Sequence, residues 1–100
     1  MRQITADACH ALENGRDFRQ SNTVVKNGSM YLWGNEIAQI ASGQLYVTLS
    51  GYNTVTTRER LNGLHGVSVY SRNYQPYING VAVDSNKWYR VTDNGVVEVQ

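Results

Sequence analysis

The sequence predicts an α+β domain: a mainly antiparallel sheet built of short hairpins, with two short helices packed on it. Turn dipeptides such as Asn27-Gly28, Ser42-Gly43 and Asn79-Gly80 separate short strand-like segments, which is typical of hairpins. Two other stretches, at about residues 5–14 and 56–64, carry helix start signals instead. One hundred residues are enough for one hydrophobic core, so residues 1–100 are expected to form a single domain.

The first predicted helix covers residues 6–14, with Thr5 as its cap and Gly15 as its stop. Its apolar positions share one narrow face, which favours close packing on a sheet: Ile4, Ala8, Ala11 and Leu12. A polar connection over residues 15–21 is expected to follow.

Strands are predicted wherever apolar and polar residues alternate between turn signals. Before the second helix they cover residues 22–26, 29–33, 36–41 and 44–50, with Gly34-Asn35 marking one further reversal. After it they cover residues 67–72, 75–78, 81–84, 87–91 and 96–99. Pro76 cannot donate to a ladder, so its strand is expected at an edge or at a strand start.

The second predicted helix begins at Thr56, which stands three residues before Glu59 in the spacing of a capping box. Gly63 or Gly66 is expected to end it. Its packing side is expected to consist of Thr57, Leu61 and Leu64.

Composition excludes several classes of function. The net charge is +1, so no bulk field attracts nucleic acid or membranes. Cys9 is the only cysteine, which rules out an intrachain disulfide and a thiolate metal site, and it is expected to be a small core residue. No apolar run is long enough to span a membrane and no signal peptide is evident, so the cytoplasm is the expected compartment.

Catalysis has little support in the sequence. His10 and His65 are the only histidines, and neither belongs to a metal-ligand or nucleophile motif. Cys9 and His10 are neighbours on a helix and therefore point about 100° apart, which is poor geometry for a nucleophile and its base. We expect no enzyme activity, no metal and no cofactor.

The best candidate surface is rich in tyrosine, tryptophan and arginine, the residues that dominate binding hot spots. The predicted partner-binding residues are Arg58, Arg60, Tyr52, Trp33, Tyr74 and Arg72. The start of the second helix, with Thr56 and Thr57, is an anion-binding candidate. Two plainer interpretations compete: the arginines are solvated helix residues, and the rings fill a core in a chain with one phenylalanine.

Two segments resemble small accessory proteins encoded by tailed bacteriophages. They are residues 31–38, YLWGNEIA, and residues 51–64, GYNTVTTRERLNGL. The resemblance extends from the first helix to about Val91. It implies the cytoplasm of an infected bacterium as the setting, and proteins of this kind often bind and block or redirect a host protein, including defence machinery.

Three functional hypotheses follow. The first is a non-enzymatic phage protein that binds and inhibits or redirects a host macromolecule, most directly a host protein. The second is a nucleic-acid-binding regulator, with rings that stack on bases and phosphate contacts from Arg58, Arg60, Arg72 and Arg90. The third is a protein that sequesters a small nucleotide at the Thr56/Thr57 helix start. A homodimer is compatible with all three, because exposed strand edges attract partners.

Overall fold

The computed structural model describes residues 1–99. Along these residues the order is one helix, five strands, a second helix and five further strands. The helices are α1 (Gln3–Glu13) and α2 (Val55–Asn62). The first strands are β1 (Phe18–Gln20), β2 (Thr23–Lys26), β3 (Ser29–Leu32), β4 (Asn35–Ala41) and β5 (Gln44–Val47). The others are β6 (Val69–Arg72), β7 (Gln75–Ile78), β8 (Val81–Ala82), β9 (Tyr89–Thr92) and β10 (Gly95–Glu98).

The strands form two antiparallel sheets. The larger has seven strands in the order β1-β2-β3-β4-β5-β9-β10, and the smaller has three in the order β6-β7-β8. The predicted α+β class with mainly antiparallel pairing is therefore confirmed. The division into two sheets was not predicted: the chain leaves the first sheet after β5, runs through α2 and the β6–β8 meander, and returns when β9 pairs with β5.

The three predicted dipeptide turns are confirmed. Asn27-Gly28, Ser42-Gly43 and Asn79-Gly80 each join neighbouring antiparallel strands, and both residues of each pair have positive φ. Two-residue hairpin loops of this kind match the right-handed twist of the flanking strands.

Two further tight turns carry aromatic residues in the same left-handed region. Trp33 and Gly34 form the turn between β3 and β4, with φ values of 52° and 80°, one residue before the predicted reversal. Asn73 and Tyr74 form the turn between β6 and β7, with φ values of 51° and 67°. A bulky residue at positive φ is an outlier that sequence patterns do not favour.

The start of the chain differs from the prediction in two places. Helix α1 begins at Gln3 after Arg2, which makes no side-chain cap, so the predicted cap at Thr5 is wrong. Thr5 lies inside the helix because its buried hydroxyl is used by α2. The predicted connection over residues 15–21 contains a short strand, β1, paired with β2. The expected buried positions of α1 are confirmed: Ile4, Ala8, Ala11 and Leu12.

The N-cap of helix α2 lies two residues earlier than predicted. Thr54 is the N-cap, and its hydroxyl accepts a hydrogen bond of 3.2 Å from the amide of Thr57. The predicted capping box between Thr56 and Glu59 is therefore wrong, because the Glu59 carboxylate turns toward α1. The expected packing side is confirmed, since Thr57, Leu61 and Leu64 are all buried.

The α1–α2 contact is close. A Cβ added at Gly63, just after α2, would lie 2.6 Å from the Cys9 sulfur and 2.7 Å from Cγ2 of Thr5. Cys9 is buried, as expected for a small core residue, and its thiol donates to the carbonyl of Arg60. Burial, followed by the nearby carboxylates of Glu13 and Glu59, raises the pKa of the Cys9 thiol to about 12.

Candidate functional site

Arg60 lies in the interior, with 0% of its side chain exposed. It cannot contact a partner, so its predicted role in partner binding is wrong, as is its role as a phosphate contact. Its guanidinium donates to the hydroxyls of Thr5 (2.7 Å) and Thr23 (3.0 Å). It also pairs with the Glu59 carboxylate and reaches the side-chain oxygen of Asn22 at 3.3 Å. A buried cation is tolerated only when it is paired and hydrogen-bonded in this way.

This buried network is connected to an exposed aromatic turn. Asn22 accepts from Arg60 on its side chain, and its backbone carbonyl accepts a hydrogen bond of 2.8 Å from the amide of Trp33. Trp33 is nevertheless 74% exposed. One residue thus links the interior arginine to the turn that presents the indole ring.

The second arginine of α2 has a parallel arrangement. Arg58 is half-buried and donates to both oxygens of Asn53, the side-chain oxygen at 2.6 Å and the backbone oxygen at 3.1 Å. The side-chain nitrogen (Nδ2) of Asn53 donates in turn to the hydroxyl of Ser71 at 3.1 Å and to the backbone carbonyl of Tyr74 at 3.3 Å. Tyr74 is 96% exposed.

Each of the two arginines therefore bonds to an asparagine that also bonds to the backbone of an aromatic turn. Both Trp33 and Tyr74 have positive φ, where a non-glycine residue in the left-handed region costs about 1–2 kcal/mol. Backbone outliers of this kind persist only where the surrounding structure holds them, and they cluster at functional sites. Arg60 is a buried positioning residue in this arrangement. Arg58 also bonds to a residue that holds a turn, but it is only half-buried, so its predicted contact with a partner stays a prediction. The rings of Trp33 and Tyr74 are largely exposed and can contact another molecule.

A cleft of about 480 Å³ opens between two of the predicted partner-binding residues, Trp33 and Tyr52. Tyr52 is 53% exposed and lies between β5 and α2. The floor consists of three buried apolar side chains, Leu32, Ile37 and Leu49. The remaining lining residues are polar and uncharged: Asn35, Thr54, Thr56 and Thr57.

Of the two residues predicted as an anion site at the helix start, Thr57 does not fit that role. Thr57 is buried, its amide donates to Thr54, and its hydroxyl lies 3.0 Å from the Thr54 hydroxyl. Neither group is therefore available to an anion. Thr56 is half-buried and remains accessible along the rim of the cleft.

Arg72 is exposed on β6, opposite Gln75 in the hairpin that Tyr74 closes. In the same hairpin the rings of Tyr70 and Tyr77 stack with centroids 5.1 Å apart. The structure therefore places Arg72 beside Tyr74, and Trp33, Tyr52 and Thr56 together around the cleft. The residues that sequence reasoning missed are Asn22 and Asn53, since asparagine near a turn gives no signal beyond the turn itself.

The described part of the chain was compared with two structural requirements, those of a metal site and of a membrane-spanning helix. Residues 1–99 contain no cluster of three or more histidine, cysteine, aspartate or glutamate side chains that could hold a metal ion. Within the same range neither helix is long and apolar enough to cross a membrane.

Comparison with known families places the chain in a family of phage proteins. A family model described as the Kyanoviridae Gp96 protein matches residues 1–96, nearly the whole chain. The chain belongs to the Kyanoviridae Gp96 family. The expected resemblance to small phage proteins is thereby confirmed.

No curated protein matches this Gp96 family member, and no solved structure does. Family membership identifies a phage protein and assigns no chemistry to it. The function must therefore be inferred from the surface of the molecule.

Proposed function

We propose that this Gp96 family member is a non-enzymatic phage accessory protein that binds a host protein and inhibits or redirects it by steric occlusion. The binding face would consist of Trp33, Tyr52 and Tyr74, with Arg72 at its border. The observation that supports this proposal is the exposure of two aromatic rings on turns with positive φ, at 74% and 96%.

Exposed rings on strained turns are unfavourable for folding alone. Asparagine or glycine would fit these turn positions better, and smaller polar groups would keep the surface more soluble. Tyrosine and tryptophan supply a large contact area at low entropic cost, which is why they are enriched at binding hot spots. Trp33 and Tyr74 are disfavoured at these turns by both stability and solubility, and selection for contact with a partner protein explains their presence.

The hydrogen-bonded asparagines add a second reason for favouring a protein partner. They hold the two turns before any partner arrives, and a pre-organised surface loses less entropy on binding. Arg72 lies at the border and would affect the encounter rate and orientation more than the affinity.

The nucleic-acid alternative is weakened by the burial of Arg60, which removes one of four predicted phosphate contacts. The nucleotide alternative is weakened by the burial of Thr57. Both remain measurable outcomes of the binding experiments, through mobility shifts at two salt concentrations and calorimetry with nucleotides.

The proposal is tested by affinity capture from host lysate, identification of the captured protein, and calorimetry with the purified pair. The double variant Trp33→Ala/Tyr74→Ala should abolish specific capture and weaken binding by at least about 100-fold, as expected for two hot-spot residues. Val97→Ala, which truncates an exposed apolar residue of β10, is the matched control and should bind like wild type. Wild-type protein that captures no specific host protein would refute the proposal.

A further inference from the structure

We infer that the cleft between Trp33 and Tyr52 receives a single uncharged, ring-bearing side chain from the partner protein. The inference rests on the proposed function, and it specifies the chemistry that the binding face selects. The cleft combines two partly exposed ring walls with a floor of buried aliphatic residues. Hot spots of protein interfaces typically pair in this way, an aromatic anchor of one partner filling a pocket of the other.

The charge of the cleft restricts its occupant. None of the nine lining residues is an aspartate, glutamate, histidine, lysine or arginine. A charged side chain entering the cleft would lose hydration without gaining an opposite charge. An apolar or aromatic group meets no such penalty, because it covers Ile37 and Leu49 on the floor and the ring faces of the walls.

The size and polar rim of the cleft favour a ring with a polar tip. Its volume of about 480 Å³ lies in the lower part of the range of ligand pockets, roughly 300–1,000 Å³. One ring and the backbone that carries it would fit. The amide of Asn35 and the hydroxyl of Thr56 lie along the rim, where they could satisfy the hydroxyl of a tyrosine or the N–H of a tryptophan.

The surface beyond the cleft favours a protein over a free small molecule. The side chain of Asn53, the residue after Tyr52, bonds to the backbone carbonyl of Tyr74, so the turn that carries the second exposed ring adjoins the cleft wall. A small molecule filling the cleft would leave Tyr74 uncovered at 96% exposure. A protein segment that inserts one ring beside Trp33 can also cover Tyr74.

The wall residue Trp33 is held in place before binding. Its amide is bonded to Asn22, whose side chain contacts the buried guanidinium of Arg60. The pocket therefore need not be formed by the partner, and it should take up an isolated side-chain analogue weakly. This property makes the inference testable without the natural partner.

The experiment is a titration of the uniformly ¹⁵N-labelled full chain, followed by amide shifts. The probes are N-acetyl-tyrosinamide, N-acetyl-lysinamide and adenosine monophosphate. The tyrosine probe should give saturable shifts at the amides of Trp33, Tyr52 and Thr56 with a dissociation constant on the order of millimolar. The lysine probe and the nucleotide should bind at least about tenfold more weakly.

Two variants assign the binding to the cleft. Trp33→Ala removes one wall and should weaken the tyrosine probe at least about tenfold, while its spectrum shows a folded protein. Val97→Ala is the matched control, because it truncates an exposed apolar residue of β10 outside the cleft and should leave probe binding unchanged. A second measurement is the change in tryptophan fluorescence on adding the probe. The chain also contains Trp88, so the part of the change that is lost in Trp33→Ala is the part that reports on Trp33.

The outcomes separate this inference from the proposed function. Absence of cleft shifts with the tyrosine probe overturns the inference, as does a preference for the nucleotide or the lysine probe. If the probe fails while host capture still depends on Trp33, the proposed function stands without a ring pocket. If the probe binds the cleft while no host protein is captured, the pocket stands and the proposed function fails.

Discussion

Trp33 donates its backbone amide to the carbonyl of Asn22 at 2.8 Å, and this bond ties the turn between β3 and β4 to the neighbouring turn before β2. The side chain of Asn22 also accepts from the buried guanidinium of Arg60. An exposed ring is therefore connected, through one asparagine, to a buried charge on α2. The connection explains how a tryptophan can occupy a turn position with a φ of 52°.

Helix α2 holds a second turn by the same means, since Arg58 bonds to Asn53 and Asn53 bonds to the carbonyl of Tyr74. Two arginines of one helix thus stabilise two aromatic turns that belong to different sheets. The face proposed for partner binding is organised from α2 outward. Its arginines contribute order, and its rings contribute contact area.

Arg60 should be among the most sensitive positions of the chain. Arg60→Ala removes the cation that bonds to Thr5, Thr23 and Asn22 and leaves the Glu59 carboxylate unpaired. Breaking a buried ion pair from one side costs about 3–5 kcal/mol. Denaturant unfolding monitored by circular dichroism should show this loss.

The exposed Arg72→Ala is the control for removing an arginine, and it should change the unfolding free energy by less than about 0.5 kcal/mol. Equal losses in the two variants would contradict the role of Arg60 as a buried anchor.

Replacing the ring at an aromatic turn should raise the stability of the protein, and at Trp33 it should also weaken partner binding. Trp33→Asn and Tyr74→Gly each create an Asn-Gly pair at a position where both φ values are positive. Asn-Gly is the preferred sequence of such turns, so each variant should raise the unfolding free energy by about 0.5–1 kcal/mol. Trp33→Asn should also weaken capture of the host partner. Tyr52→Asn removes a ring from a residue without positive φ and should bring no gain in stability, as thermal unfolding can verify.

Much of the fold could be predicted because the deciding signals are local. Asn27-Gly28 and Asn79-Gly80 need only their own backbone preference to form turns, and the structure has hairpins at both. The packing side of α2 could likewise be predicted from residue spacing. Ring chemistry predicts Trp33 and Tyr74 as site residues, but their turn positions have no favourable local signal.

The burial of Arg60 could not be predicted, because it depends on residues far away in the chain. Arg58 and Arg60 are the same residue type two positions apart on one helix. They differ because α1 supplies Thr5, 55 residues away, and β2 supplies Thr23, 37 residues away, to only one of them. The same distant contact occupies the hydroxyl of Thr5, which therefore does not cap α1 as predicted. Long-range polar pairing of this kind leaves no periodic pattern in a sequence.

Acid should weaken the protein through Glu59. Burial alone would raise the pKa of Glu59, but hydrogen bonds from Thr5 and the Arg2 amide, together with Arg60, outweigh it and lower the pKa below its ordinary value of 4.5. A carboxyl with a depressed folded pKa stabilises the protein above its unfolded pKa, and this contribution is lost as the pH falls through the folded value. Wild-type unfolding free energy should therefore decline below about pH 4.5.

Glu59→Gln carries no titrating carboxyl at this position. It should be less stable than wild type at pH 7, and its unfolding free energy should fall less steeply between pH 5 and pH 3. Denaturant unfolding over a pH series measures both. An acid limb as steep in Glu59→Gln as in wild type would show that other carboxyls account for the decline.

The Tyr74 turn should loosen when Asn53 is truncated. Asn53→Ala removes the bonds to Ser71 and to the Tyr74 carbonyl, and it deprives Arg58 of one acceptor. We expect a loss of about 1 kcal/mol in unfolding free energy and faster hydrogen exchange in the β6–β7 hairpin. The Trp33 turn is the internal control, because its bond goes to Asn22 and should keep its protection. Equal acceleration at both turns would indicate general destabilisation in place of a local tie.

Close packing of α1 on α2 should be visible at Gly63. This residue has a φ of −79°, so alanine is not excluded by backbone conformation, and only the contact with Cys9 and Thr5 opposes it. Gly63→Ala should lower the unfolding free energy by about 1–3 kcal/mol, the usual cost of overpacking.

Adding Cys9→Ala and Thr5→Ser removes the two clashing atoms while keeping the hydroxyl that Arg60 needs. The triple variant should be more stable than predicted by adding the change in unfolding free energy of Gly63→Ala to that of Cys9→Ala/Thr5→Ser. The reason is that the alanine at position 63 then enters space that the other two substitutions have vacated. Strict additivity in that mutant cycle would mean that the two helices are not in contact at Gly63.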